Sequence, residues 1–172
     1  YERKKFKESL KYFKKVKLAH RYYAEKLVYE GSALLELNKV EDAKETFFNC
    51  AVIADDMARD ESNQKVINYL NIIKDRCHVN LARVHFEKYD FKKAIQTYNK
   101  VSKQSFLWPY TLMEKAWAYY QLENHNRTLG LLVTYKSPLL SSYFFPETEL
   151  LTALSYNKLC LWDDSLAIIN NY

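Results

Sequence analysis

A chain of 172 residues with 16% aromatics, two Gly and three Pro can build one core or a short run of repeats. It is too poor in Gly and Pro for disorder, a collagen-like helix or a Gly-rich β-fold. The net charge of +5 is uneven: residues 1–26 hold ten Lys/Arg against three Asp/Glu, whereas the remainder holds 16 against 18, and no apolar run reaches the 18 residues a membrane-spanning helix needs.

In residues 2–17 the apolar side chains Phe6, Leu10, Phe13 and Val16 follow a helical spacing, with Lys on the other face. This predicts an amphipathic helix that is the second member of a pair. A helix over 20–37 follows, with Leu27, Gly31 and Leu34 on one stripe. Residues 38–42 turn the chain, and 41–57 form the partner helix, its acidic start suited to a helix N-terminus. Beyond a break at 60–63, Val66, Leu70, Ile73, Cys77, Leu81 and Val84 predict one long helix over about 63–88. Tyr89-Asp90-Phe91 turns the chain into a helix over 91–103. Pro109 and Pro146, 37 residues apart, mark helix starts, because Pro loses nothing at a first helical position. The segments 110–122 and 147–160 are then first helices, 125–135 and 162–172 second helices, and 137–145 a longer connection.

One pattern recurs on the second helices: a small residue, a large apolar one four later, and another three after that. It reads Ser9-Phe13-Val16, Ala43-Phe47-Cys50, Ala94-Tyr98-Val101, Thr128-Leu132-Tyr135 and Ser165-Ile169-Tyr172. The copies lie 34, 51, 34 and 37 residues apart, and a period near 34 marks a stacked helix-pair array. We assign the excess of the second interval to lengthened helices around the 60–63 break. The first helices carry Leu27-Gly31-Leu34, His78-Ala82-His85, Leu112-Ala116-Tyr119 and Glu149-Ala153-Tyr156. In every complete copy the first-helix small residue precedes the second-helix one by twelve: Gly31 and Ala43, Ala82 and Ala94, Ala116 and Thr128, Ala153 and Ser165.

With these residues the chain resembles the tetratricopeptide repeat (TPR) family, most closely over Tyr89–Tyr98 (YDFKKAIQTY). It departs from the family pattern at His78, His85, Thr128 and Glu149. The resemblance implies an all-α, right-handed superhelix of stacked antiparallel helix pairs, a TPR-like α-solenoid. Residues 1–172 would be a single domain with repeats at 1–19 (second helix only), 22–60, 63–104, 109–136 and 146–172. The stretch from Trp108 to Trp162 is also similar to long repeat proteins of bacterial cell envelopes, which implies a periplasmic setting, with the cytoplasm as the alternative. The start at Tyr1, without a signal-peptide pattern, reads as an internal fragment or a mature form.

Few residues suggest chemistry. His78 and His85 stand seven apart on one helix, roughly 10 Å along its axis, which is poor geometry for sharing a metal; His20 and His125 read as surface residues near turns. Cys77 and His78 point about 100° apart, so they do not face each other as a nucleophile pair. The carboxylate pairs Glu41-Asp42, Asp55-Asp56, Asp60-Glu61 and Asp163-Asp164 fall at helix ends, where capping explains them. Gly31 and Gly130 alone build no phosphate cradle. Three cysteines, Cys50, Cys77 and Cys160, without a CxxC pair argue against a disulfide framework and lean towards a reducing compartment. No catalytic residue, metal or cofactor is expected.

In such an array the first helices line a concave wall. The expected wall residues are Val28, Tyr29, Ser32, Leu35 and Glu36, then Arg76, Val79, Asn80, Arg83, Phe86 and Glu87. Tyr110, Met113, Glu114, Trp117, Tyr120 and Gln121 come next, and finally Leu150, Leu151, Leu154 and Asn157. Of these, Tyr29, Ser32, Asn80, Arg83, Phe86, Tyr110, Met113, Trp117 and Tyr120 form the candidate partner-binding groove. Trp, Tyr and Arg on such a wall are the residues of interface hot spots. Some family members clamp a carboxylate terminus with basic and Asn side chains. Here the matching positions hold Val28, Ser32, Asn80, Tyr110 and Glu114, and only Asn80 fits, so the implied ligand is more apolar or a folded surface. The expected function is a non-catalytic scaffold that binds a protein or peptide. The alternatives are a peptide-sensing regulatory module, or contact of the basic first helix with an anionic surface or nucleic acid. Aromatics at core spacing disfavour the nucleic-acid case.

Overall fold

The computed structural model describes residues 2–143 and 145–170, with side chains from residue 5 onward. Among these residues the protein is all-α, with nine α-helices, one 3-10 turn and no strand. The helices are α1 (Glu2–Phe13), α2 (Tyr23–Glu36), α3 (Val40–Arg59), α4 (Gln64–Glu87), α5 (Phe91–Tyr98), α6 (Trp108–Gln121), α7 (His125–Tyr135), α8 (Glu147–Lys158) and α9 (Trp162–Asn170), with the 3-10 turn at Pro138–Leu140. Two compact units emerge, residues 1–84 and 85–172, with their boundary inside α4. Within each unit the packing is mainly between sequence neighbours: α1 on α2 and α2 on α3 in the first, then α5 on α6, α6 on α7, α7 on α8 and α8 on α9 in the second, where α6 also meets α8.

The expected elements are all present, with shifted ends. α1 stops at Phe13, because the next N–H groups bond three residues back, from Lys15 to Tyr12 and from Val16 to Phe13, which leaves Val16 in a turn. α5 ends at Tyr98 for the same reason, with Lys100 bonding Thr97 and Val101 bonding Tyr98. α3 and α4 are long, at 20 and 24 residues, and absorb the extra length of the second interval. Pro109 sits in the first turn of α6 and Pro146 stands at the N-cap position of α8 without a side-chain capping bond. The expected reach of the last helix to Tyr172 lies outside the described residues.

Four hairpin turns share one geometry. Asn38, Tyr89, Glu123 and Cys160 have φ of 60°, 60°, 57° and 59°, and each lies seven residues after Gly31, Ala82, Ala116 or Ala153. At each, the N–H of the following residue bonds a carbonyl five back at 2.9 Å: Lys39 to Leu34, Asp90 to His85, Asn124 to Tyr119 and Leu161 to Tyr156. Together with the bonds from Asn38 to Leu35, Tyr89 to Phe86, Glu123 to Tyr120 and Cys160 to Asn157, these are Schellman caps, which satisfy the last carbonyls of the first helix. The second small residue of each copy stands five residues after the left-handed one. Ala43, Ala94 and Thr128 are fully buried and Ser165 nearly so.

In the first unit, one apolar cluster joins Ala24, Leu27 and Val28 of α2 to Ala51 and Ala54 of α3 and Leu70 and Ile73 of α4. A second joins Leu34, Ala43, Phe47, Leu81 and Val84, with Leu10 of α1 against it. Cys50 and Cys77 lie in the first cluster and are joined as a disulfide, Cα atoms 5.9 Å apart. This corrects the expectation of lone apolar cysteines. Both were expected at packed positions, but which helix faces meet is a tertiary fact that spacing along one helix does not carry. Cys160 is a free, exposed thiol. In the second unit, Leu112, Met113, Ala116, Leu132, Tyr135, Leu140 and Leu151 form a single cluster, with Trp117, Tyr120, Tyr143 and Phe145 packed against it.

Candidate functional site

The residues expected on the wall divide between exposed and buried positions, and the two units present different surfaces. In the first unit, α2 and α4 display a tyrosine–carboxylate group. The Glu25 carboxylate accepts from the Tyr69 hydroxyl at 2.5 Å and from the Tyr29 hydroxyl at 3.4 Å, and the Tyr22 ring meets Tyr69 edge-on at 6.5 Å. Burial, and then the bonded Glu25 carboxylate, push the Tyr69 phenol well above its usual range, so it stays a donor at all ordinary pH. Tyr29 remains exposed, as do Ser32 and Arg83, while Asn80 is half-buried. Ser32 spends its hydroxyl on the Val28 carbonyl at 2.9 Å. Val28 and Val79 are buried in the core, contrary to their expected place on the wall. Tyr69 was missed in the sequence, although it stands seven residues before Arg76, on the face that Asn80 and Arg83 share.

In the second unit the wall is more apolar. Trp117 and Tyr120 are half-buried, their rings edge-to-face at 6.0 Å, and Tyr120 lies 5.2 Å from His125, which is half-buried and not a free surface residue. Tyr110 keeps an exposed edge but is flanked by Tyr143 at 6.0 Å and Phe145 at 5.2 Å. Met113 is only 3% exposed and belongs to the core, which removes it from the groove. The reason is the connection 137–145. Expected only as a longer connection, it shares the Met113 cluster through Leu140, Tyr143 and Phe145. Leu151 is likewise fully buried, whereas Leu150 is exposed. Phe86 is half-buried and packs edge-on against Phe91 at 5.1 Å, so it is turned to the next helix.

Polar side chains of α6, the expected wall residue Glu114 and its neighbour Lys115, serve helix pairing. Glu114 accepts from the Tyr98 hydroxyl at 2.5 Å, and Lys115 donates to Asn99 Oδ1 at 3.2 Å, both linking α6 to α5. Burial, with Lys103 nearby, holds the Lys115 ammonium below its ordinary pKa. The Tyr135 phenol is buried, its hydroxyl has no hydrogen-bond partner among the described residues, and burial pushes its pKa up. The basic face of α1 borders a pocket of about 300 Å³ in which Lys7, Lys11 and Lys14 face Glu30 and Asp42. Lys39 lines it as well, and the two carboxylates, paired with Lys26 and Lys39, offset only part of the positive field there.

Among the described residues no group of three His, Cys, Asp or Glu side chains converges on a point, and no helix is long and apolar enough to cross a membrane. No family model matches the sequence, and no curated protein matches it.

Proposed function

We propose that this chain is a TPR-like helix-repeat protein, its pairs stacked as a right-handed superhelix, that binds a protein or peptide and carries out no chemistry of its own. One observation carries the reading: four turns of identical register, each with its left-handed residue seven after one small side chain and a second small side chain twelve after the first. A chain that repeats a hairpin in this way gains stability between neighbours and leaves the exposed wall of its first helices free to evolve contacts. On that wall, Tyr29 and Arg83 in the first unit and Tyr110, Trp117 and Tyr120 in the second supply the amphipathic and planar side chains from which interface hot spots are built.

Selection of a displayed peptide library against the whole chain tests this. The expected outcome is a family of apolar or aromatic peptides whose affinity falls at least tenfold with Arg83→Ala or Tyr29→Ala in the first unit, or with Trp117→Ala in the second. Selected peptides that bind all three variants as well as the parent would overturn the assignment of the wall, and so would a selection that yields no binder.

A further inference from the structure

Two half-buried carboxylates of the first unit, Glu30 and Asp55, each hold a lysine: Glu30 pairs with Lys26, and Asp55 accepts from Lys74. Glu25 differs. It too is half-buried, on α2, yet among the described residues it makes no ion pair. Its partners are the hydroxyls of Tyr69 at 2.5 Å and Tyr29 at 3.4 Å. The cations nearest in the chain are engaged elsewhere. Lys26 sits on Glu30 and 4.9 Å from the Tyr23 ring centre, and the Arg21 guanidinium lies 4.5 Å from the ring centre of Tyr22.

The two phenols leave room on the carboxylate. Its oxygens offer about four lone-pair sites between them, and each oxygen holds one phenol: Tyr29 is on Oε1 and Tyr69 on Oε2. A site on each oxygen stays open, which is what the fork of a guanidinium requires. The rings suit the same group. Tyr22 and Tyr29 are exposed, Tyr22 stands edge-on to Tyr69, and Tyr22 already carries one guanidinium, that of Arg21. A planar guanidinium takes a carboxylate at its edge and an aromatic ring on its face at once, whereas a lysine ammonium is a compact, strongly hydrated charge.

We infer that Tyr22, Glu25, Tyr29 and Tyr69 form a subsite for an arginine side chain of the peptide that the wall binds. The inference rests on the reading of the wall as a peptide-binding surface, and it adds one fixed cation to a ligand that is otherwise apolar. Charge complementarity selects the occupant: the ligand's arginine supplies to Glu25 the positive partner that Lys26 supplies to Glu30.

The test is NMR of the whole chain, isotope-labelled on its tyrosine rings and titrated with N-acetyl-arginine amide. N-acetyl-citrulline amide, of the same shape without the charge, is titrated in parallel. Saturable shifts are expected at the Tyr22, Tyr29 and Tyr69 rings, assigned from single Tyr→Phe variants, and none from the citrulline compound. Glu25→Gln keeps an acceptor for Tyr69 and should weaken the arginine probe by roughly tenfold, while Trp117→Ala, in the other unit, should leave it unchanged. The inference is overturned by a parent chain that does not respond to the arginine probe, by equal shifts from the citrulline compound, or by a Glu25→Gln chain, helical by circular dichroism, that binds as the parent does. A chain that captures peptides but ignores the arginine probe keeps the wall and loses the subsite. One that takes the probe but no peptide keeps the guanidinium site and loses the wall.

Discussion

A Cβ atom placed on Gly31 would lie 2.5 Å from Cε1 and 2.7 Å from Cζ of Phe47, a ring with no solvent exposure. Helix α2 thus touches α3 through the bare backbone of one residue, and the aromatic ring fills the space a side chain would take. Gly31→Ala gains roughly 1 kcal/mol of helix propensity but overpacks a rigid, enclosed ring at about 1–3 kcal/mol. A net loss of about 1 kcal/mol is expected in urea unfolding. A gain would mean that α2 and α3 stand farther apart.

Gly130 is the opposite case. Nothing lies within 4 Å of a Cβ added there, and the residue is exposed on α7. Gly130→Ala should raise stability by about 1 kcal/mol from propensity alone. Measuring both variants under one set of conditions separates close helix approach from general helix strengthening.

Glu123 holds the left-handed conformation at the end of α6, with φ of 57° and no obligatory side-chain role in the turn. Relief of that strain by Glu123→Gly should stabilise by about 0.5–1 kcal/mol after the larger chain entropy of Gly is set against it. Asn38→Gly should gain less, because Asn tolerates this region better. Equal gains at both turns would be inconsistent with this account; thermal unfolding of the two variants decides.

Much of this geometry was legible before any coordinates. The helical spacing of Val66, Leu70, Ile73, Cys77, Leu81 and Val84 forecast a long helix, and α4 follows it almost to the residue. The twelve-residue offset recurs in space: the Thr128 hydroxyl reaches the Ala116 carbonyl at 3.3 Å, as the Ser165 hydroxyl reaches that of Ala153 at 3.1 Å. The turns were hidden, because a left-handed residue is usually betrayed by Gly, and Asn38, Tyr89, Glu123 and Cys160 include none. The exposure of the residues expected on the wall was half legible. Periodicity tells which residues share a face, as for Tyr29 and Ser32, but not that a connection will fold over Met113. It also could not tell that Tyr69 would find Glu25, a partner 44 residues away.

Cys50 and Cys77 close a loop of 27 residues. On the chain-entropy account such a link contributes about 3.5 kcal/mol. Reduction with a thiol reagent should therefore lower the unfolding midpoint sharply, while Cys160→Ser should not. Thiol titration of the unreduced, unfolded chain should find a single reactive group, Cys160. Three reactive thiols would show the link to be absent.

Asp55 ties α3 to α4. Its carboxylate accepts from the Lys74 ammonium at 2.9 Å and also pairs with Arg59. The Lys74 hydrogen bond above all, with Arg59 adding, holds the Asp55 carboxyl below its ordinary value. A depressed folded pKa means stability that is present above the unfolded value, about 3.9, and lost as pH falls through the folded one. Asp55→Asn should be less stable than the parent at pH 7, and the difference should shrink steadily below about pH 4. A difference that is constant down to pH 2 would assign the effect to packing.

The covalent link has a further consequence for a molecule stretched from its ends. Helix pairs held only by their neighbours would peel away one after another, each releasing its full contour. Between Cys50 and Cys77 the tension would instead pass through the sulfur atoms. Those 27 residues, worth roughly 90 Å of extended chain, would stay slack until the bond was cut, so the protein's reach under load would depend on the redox state around it.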